Sequence, residues 1–142
     1  MQAQPESSRE RYARLIAAAQ SNQCVWIAES AESTLILPNE SGEELIPVWP
    51  SEEEASAVLA GLPNLSGFRP VPRSLDRWLT LSTPHLIEDG ILIGACPDCR
   101  MACLMVPAAD FGQDLAPAPR LQASDLSRLR KKLVARRPRG GA

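Results

Sequence analysis

The chain has 142 residues, 44% of them hydrophobic, a length that suits one domain core and an apolar content that excludes wholesale disorder. No apolar run approaches the ~20 residues that cross a bilayer, and Met1–Glu10 lacks the basic and apolar regions of a secretion signal, so the expectation is a cytoplasmic protein without a membrane span. The net charge of −2 hides an asymmetry: residues 1–119 carry 16 acidic and 7 basic side chains, whereas residues 120–142 carry Asp125 against eight arginines and lysines.

Ser7 and Glu10 have the spacing of a capping box, and Tyr12, Leu15, Ile16 and Ala19 follow at i, i+3, i+4 and i+7, which predicts a helix ending near Gln20–Gln23. Cys24–Ala28, Thr34–Leu37 and Leu45–Trp49 are short apolar runs separated by turn-forming residues, and predict a three-strand antiparallel meander. Pro47 confines the third strand to an edge or to a position where no N–H is needed. Ser51 and Glu54 form a second capping box for a helix over Glu52–Ala60, closed by Gly61 as a left-handed cap and by Pro63. Asn64–Arg73, with Gly67, Pro70 and Pro72, is expected to cross the surface as an extended connector. Ser74 caps a third helix bearing Leu75, Trp78 and Leu79. Ser82 or Thr83 can cap a further turn with Pro84 at its first position, running to Gly90. Ile91–Ala95 and Met101–Val106 predict a hairpin, Pro107–Leu115 a turn, and Pro117 and Pro119 a linker. The expected fold is α+β: a mainly antiparallel sheet of about five strands, the meander plus the hairpin, packed by about three helices. Residues 1–116 form the single domain and residues 117–142 a linker with a basic tail.

The stretches Arg11-Tyr12, Cys24-Val25-Trp26 and Ile46-Pro47-Val48-Trp49-Pro50-Ser51-Glu52-Glu53-Glu54-Ala55 carry a likeness. So do Leu75–Leu79 and Leu86–Gly94. Over about Tyr12–Leu115 the chain resembles the bacterial family catalogued as Domain of Unknown Function 2750, the strand-to-helix corner P-V-W-P-S-E-E-E being its most distinctive part. A slighter likeness at the same corner is to the serine-sensitivity-enhancer type of domain found near secretion systems and toxin-immunity loci. Neither resemblance implies a catalytic residue. The chain departs from the first family's apolar-aromatic hairpin by having Cys96, Cys99 and Cys103 there.

Those cysteines form a C-x2-C-x3-C group, in which paired thiolates at a tight turn can hold zinc if a fourth ligand, Cys24 or His85, arrives from elsewhere. If Cys103 lies on the return strand, alternation sets it on the opposite side from Cys99 and leaves two usable ligands, and the second paired motif of a full zinc site is absent. Cys96-Pro97-Asp98-Cys99 also has redox spacing, but a strand rather than a helix follows it. The third reading is ordinary thiols of a reducing cytosol. His85, the only histidine, has no sequence partner for a catalytic device. Glu52–Glu54 is accounted for by the helix dipole. No phosphate-binding glycine loop occurs, and no enzyme is expected.

Trp26, Trp49 and Trp78 supply core area. Trp49, between two prolines at a strand end, is expected to stay partly exposed and to anchor an interface. Trp49, Trp26, Glu52 and Glu53 are therefore the candidate partner-binding residues, facing a basic protein. In the tail, Leu126, Leu129 and Leu133 lie among Arg128, Arg130, Lys131, Lys132, Arg136 and Arg137, a basic amphipathic pattern suited to an acidic partner or to nucleic acid. The function expected is a non-enzymatic protein-interaction module without a cofactor, immunity-like or secretion-associated. A zinc- or thiol-dependent protein and a binder acting through the tail are the alternatives.

Overall fold

A computed structural model describes residues 6–116; the basic tail from Arg128 to Arg137 lies outside the described residues. Helix α1 (Ser8–Asn22) begins with the expected capping box, Glu10 N–H donating to Ser7 Oγ at 3.1 Å and Ser7 N–H to Glu10 Oε1 at 3.0 Å. It buries Leu15 and Ala19 and ends at Gln23, whose φ of 57° turns the chain directly into strand β1 (Cys24–Glu29).

The partner of β1 is β4 (Arg69–Ser74), antiparallel from Cys24 opposite Ser74 to Glu29 opposite Arg69. This corrects the connector expected over Asn64–Arg73. Two prolines argue against a strand only if their missing donors are needed. Pro70 and Pro72 lie opposite Ala28 and Trp26, whose backbone groups bond on the other side, Ala28 C=O accepting from Leu35 and Trp26 exchanging bonds of 2.8 and 3.0 Å with Trp49. Residues two apart in a strand point the same way, so both prolines turn their nitrogens outward and cost the ladder nothing.

The expected meander is partial. Strand β2 shrinks to Leu37–Pro38 and pairs antiparallel with β3 (Glu44–Val48), while β1 reaches the second segment only at Glu29–Thr34 and at the Leu35–Ala28 bond. Asn39 Oδ1 accepts the amides of Ser41 and Glu43 at 2.9 Å, and Gly42 supplies the left-handed φ of 84°. Strand β3 then pairs in parallel with β5 (Leu92–Ala95), which pairs antiparallel with β6 (Leu104–Val106). The parallel pair is a further difference from the expected sheet. It brings segments nearly fifty residues apart side by side, beyond the reach of local patterning. Among the described residues six strands form two sheets, β4-β1 and β2-β3-β5-β6, joined by the Trp26–Trp49 bridge.

Ser51 Oγ caps α2 (Glu52–Ala60) by accepting from Glu54 N–H, but the Glu54 carboxylate turns to Arg14 and Cys96, so the second capping box is half made. Gly61 stays right-handed at φ −82° and leads into a 3₁₀ turn at Pro63–Leu65, rather than making the expected left-handed cap. Short helix α3 (Leu75–Arg77), capped by Ser74, continues through a π turn (Trp78–Ser82) into α4 (Thr83–Asp89). The break expected at Ser82–Pro84 is thus absorbed. Thr83 donates both its N–H and its hydroxyl to Trp78 C=O, and the ladder slips to i→i−5 just where Pro84 has no N–H to give. Gly90 closes α4 at φ 69°.

After Pro107 the chain forms helix α5 (Ala108–Leu115), where a turn was expected. Ala108, Phe111, Gly112 and Leu115 bury one face against α1, α4 and β5. A single cluster of buried side chains runs from Leu15 to Leu115 and holds Trp49, Trp78 and Phe111 at its centre.

Candidate functional site

Trp49 is 0% exposed, and its indole N–H donates to Pro97 C=O at 3.1 Å. The expectation of a partly exposed anchor is corrected: the prolines flanking the strand end do not lift the ring into solvent, because the Pro97 carbonyl gives it a buried acceptor. Trp26 is half-buried with its backbone engaged by Trp49. Glu52 and Glu53 are exposed on the first turn of α2, so they present an acidic surface without the tryptophan.

The cysteines are dispersed. Cys96 is buried, Cys99 exposed and Cys103 half-buried, and among the described residues no three His, Cys, Asp or Glu side chains are grouped to hold a metal ion. Cys96 sits at φ 48°, its thiol 3.5 Å from Glu54 Oε2 and 3.7 Å from Arg14 Nη2, while Arg14 Nη1 bonds Glu54 Oε1 at 2.5 Å. Arg11, one turn earlier on α1, donates to the carbonyls of Cys96 and Ala102 and anchors both ends of the loop. Within the loop, Asp98 Oδ1 accepts the amides of Arg100 and Ala102 at 2.8 and 2.9 Å. Burial disfavours the Asp98 anion, yet these two amides and the nearby arginines hold its carboxyl below the ordinary value. Nothing in the cysteine spacing pointed to Arg11, Arg14 and Glu54, although Arg11 and Arg14 stand three apart on one face of α1.

Burial, with the Glu54 carboxylate beside it, pushes the Cys96 thiol up to about 12. The thiolate is the reactive form, so Cys96 stays neutral until the pH approaches that value. Alkylation of the folded protein at pH 8 is expected to modify Cys99 first and to leave Cys96 unmodified, as read by peptide mass spectrometry over time. Equal modification of the two would contradict the buried, neutral thiol.

A cleft of about 310 Å³ opens between the α3–α4 segment and the sheet. Ile27 from β1, Ile46 from β3, Leu86 from α4 and the flanking Ile36 and Ile91 give it apolar surface, and Ser82, His85, Asp89, Thr34 and Arg73 add polar groups. Arg73 is paired with Glu29, whose carboxylate also accepts from the Thr34 hydroxyl at 3.2 Å. Trp78 lines the same cleft, is 1% exposed, and its indole N–H finds no acceptor among the described residues. Buried donors are almost always paired, which sets this one apart from the Trp49 indole. A larger cleft of about 480 Å³ lies by the Asn39 turn and Met101–Met105.

Ligand clefts combine apolar walls with a few convergent polar groups. The first cleft has that composition, and it brings together residues that look unrelated in the sequence, Trp78 as core and His85 as a histidine without a catalytic partner. Its walls come together only through the β1–β4 and β3–β5 pairings.

The molecule is thus an α+β domain with a mixed sheet and an open cleft beside a π turn. It belongs to the family described as Protein of unknown function (DUF2750), whose family model matches residues 12–115. No curated protein and no solved structure is matched by the chain.

Proposed function

We propose that the protein is a non-enzymatic interaction module that engages a partner protein over the α3–α4 surface and its cleft. The carrying observation is the placement of exposed apolar side chains. Among the described residues the exposed large hydrophobics are Leu81 (51%), Ile87 (52%) and Met105, and the first two lie on the helical segment that walls the cleft. Exposed apolar groups beside a pocket are the usual centre of a contact, and polar groups around them exclude water. Glu52 and Glu53 supply a second, acidic surface suited to a basic partner, the chemistry by which a toxin-neutralising or secretion-associated module would act.

The test compares two double variants in affinity capture with the full chain. Leu81→Asp with Ile87→Asp places charge on exposed positions where folding cost stays within about 0.5 kcal/mol, and is expected to weaken partner capture roughly tenfold or more. Glu52→Lys with Glu53→Lys is expected to slow association and reduce its salt dependence. Capture that survives the first pair and disappears with the second would move the contact to the acidic face.

A further inference from the structure

We infer that the cleft beside the Asn39 turn binds a soft monovalent metal ion of the Cu(I) type between the Cys103 thiolate and the thioethers of Met105 and Met101. The site is separate from the α3–α4 cleft and does not rest on reading that cleft as a contact surface.

The three sulfur side chains stand two apart in the chain. Residues two apart in an extended segment point to the same side, so Cys103, just before β6, shares a face of the sheet with Met105 inside it. Met105 lies opposite Gly94 in the β5–β6 ladder, and Cys103 Sγ is 3.2 Å from where a Cβ on Gly94 would stand. The missing side chain of Gly94 therefore leaves the room that the thiol fills, and the thiol lies over the residue paired with Met105. Met105 Sδ is fixed by the Asn39 amide, 3.2 Å away. Met101 ends the preceding loop at φ 61° and lines the same cleft of about 480 Å³ as Cys103, Met105 and Asn39.

The donor set decides which ion fits. Thiolates and thioethers together select soft ions such as Cu(I), whereas zinc takes thiolate, imidazole and carboxylate. The other two cysteines of the C-x2-C-x3-C group lie apart from this set, Cys96 buried beside Glu54 and Cys99 exposed. Methionine in a core fills apolar gaps, but Met105 is 46% exposed and its sulfur faces an amide, so gap filling does not account for it. Among the described residues the lining carries the carboxylate of Glu40 and no lysine or arginine. Arg11 is turned to the carbonyls of Cys96 and Ala102. Asn39 keeps Glu43 Oε1 as an acceptor when the Met105 sulfur turns to the metal. Binding exchanges one proton for the ion: the Cys103 S–H bond breaks, a sulfur–metal bond forms, the proton passes to the buffer, and the metal keeps its oxidation state.

The test uses the full chain with its methionine methyl groups ¹³C-labelled, which gives three signals, from Met1, Met101 and Met105; Met101→Leu and Met105→Leu assign them. Cys99→Ser is included throughout so that the exposed thiol does not take the first ion. Silver nitrate in chloride-free buffer is the probe, because Ag(I) shares the ligand preference of Cu(I) and is stable in air. The expected result is that the first equivalent moves the Met101 and Met105 signals and leaves Met1 in place, while zinc sulfate moves none of them. Adding Cys103→Ser is expected to weaken binding by more than the roughly 10- to 100-fold that loss of an outer-shell partner costs, with circular dichroism confirming that the variant folds. Met101→Leu with Met105→Leu, which conserves volume, is expected to weaken binding without changing the denaturation midpoint appreciably. Methionine signals that stay in place through the first equivalent, or that move equally after Cys103→Ser, overturn the inference. Movement of Met105 alone overturns Met101 as a ligand, and an equal response to zinc overturns the preference for a soft ion.

Discussion

Trp49→Ala is expected to destabilise the protein by about 3–5 kcal/mol, the usual cost of emptying a large aromatic site in a core. The ring is completely buried, and its indole N–H is the partner of the Pro97 carbonyl in the loop that carries Cys96 and Cys99. Its backbone also exchanges two hydrogen bonds with Trp26, the bridge that joins the sheets. Truncation therefore leaves a cavity at the junction and an orphaned carbonyl beside it. Trp49→Phe fills most of the volume but not the bond, and is expected to cost less, about 1–3 kcal/mol for the unpaired group. Chemical denaturation monitored by circular dichroism gives both values. A loss below about 1 kcal/mol for the alanine variant would show that Trp49 does not hold the junction, and would return it to the surface role read from the sequence.

Phe111→Ala is expected to cost about 3–5 kcal/mol as well. Phe111 is completely buried and touches Trp78 edge-on and Tyr12 at a tilt, its centroid 6.2 Å from the tyrosine. Tyr12 in turn bonds Asp114 on the same helix α5, and burial with that carboxylate raises its phenol above the ordinary value. Removing the Phe111 ring takes away the edge-on partner of Trp78 and the tilted partner of Tyr12. The expected readout is a lowered midpoint in chemical denaturation. Phe111→Leu, which keeps most of the volume, should recover most of the loss. A loss below about 1 kcal/mol for the alanine variant would show that Phe111 does not hold α5 against Trp78 and Tyr12.

The parts of the fold legible in the sequence are those set by neighbours a few residues apart. The Ser7–Glu10 box, the Ser51 cap, the Gly42 and Gly90 turns and the closing hairpin each follow from local chemistry. Strand β4 was missed because a proline normally demotes a strand, and only the outward register of Pro70 and Pro72 removes the objection. Helix α5 stands where Pro107–Leu115 reads as a turn, although Ala108, Phe111 and Leu115 have helical spacing and a proline is tolerated at a helix start. Trp49 was misplaced because sequence shows neighbours in the chain and not the Pro97 carbonyl 48 positions away. The cleft was hidden for the same reason. Ile27, Ile46 and Leu86 share a surface only after the parallel pair and the β1–β4 pair have formed.

The outward register of Pro70 and Pro72 has a consequence for assembly. The outer edge of β4 offers no N–H at either position, so a second chain laid against it would find an interrupted row of donors. Edge strands are the usual seeds of fibrils and of uncontrolled sheet growth, and proline on the edge is one way natural proteins blunt them. Contacts made by this protein are accordingly steered away from strand addition at β4 and toward side chains. Replacing both prolines with valine would leave the β1 ladder intact and open that edge to self-association on heating or long storage.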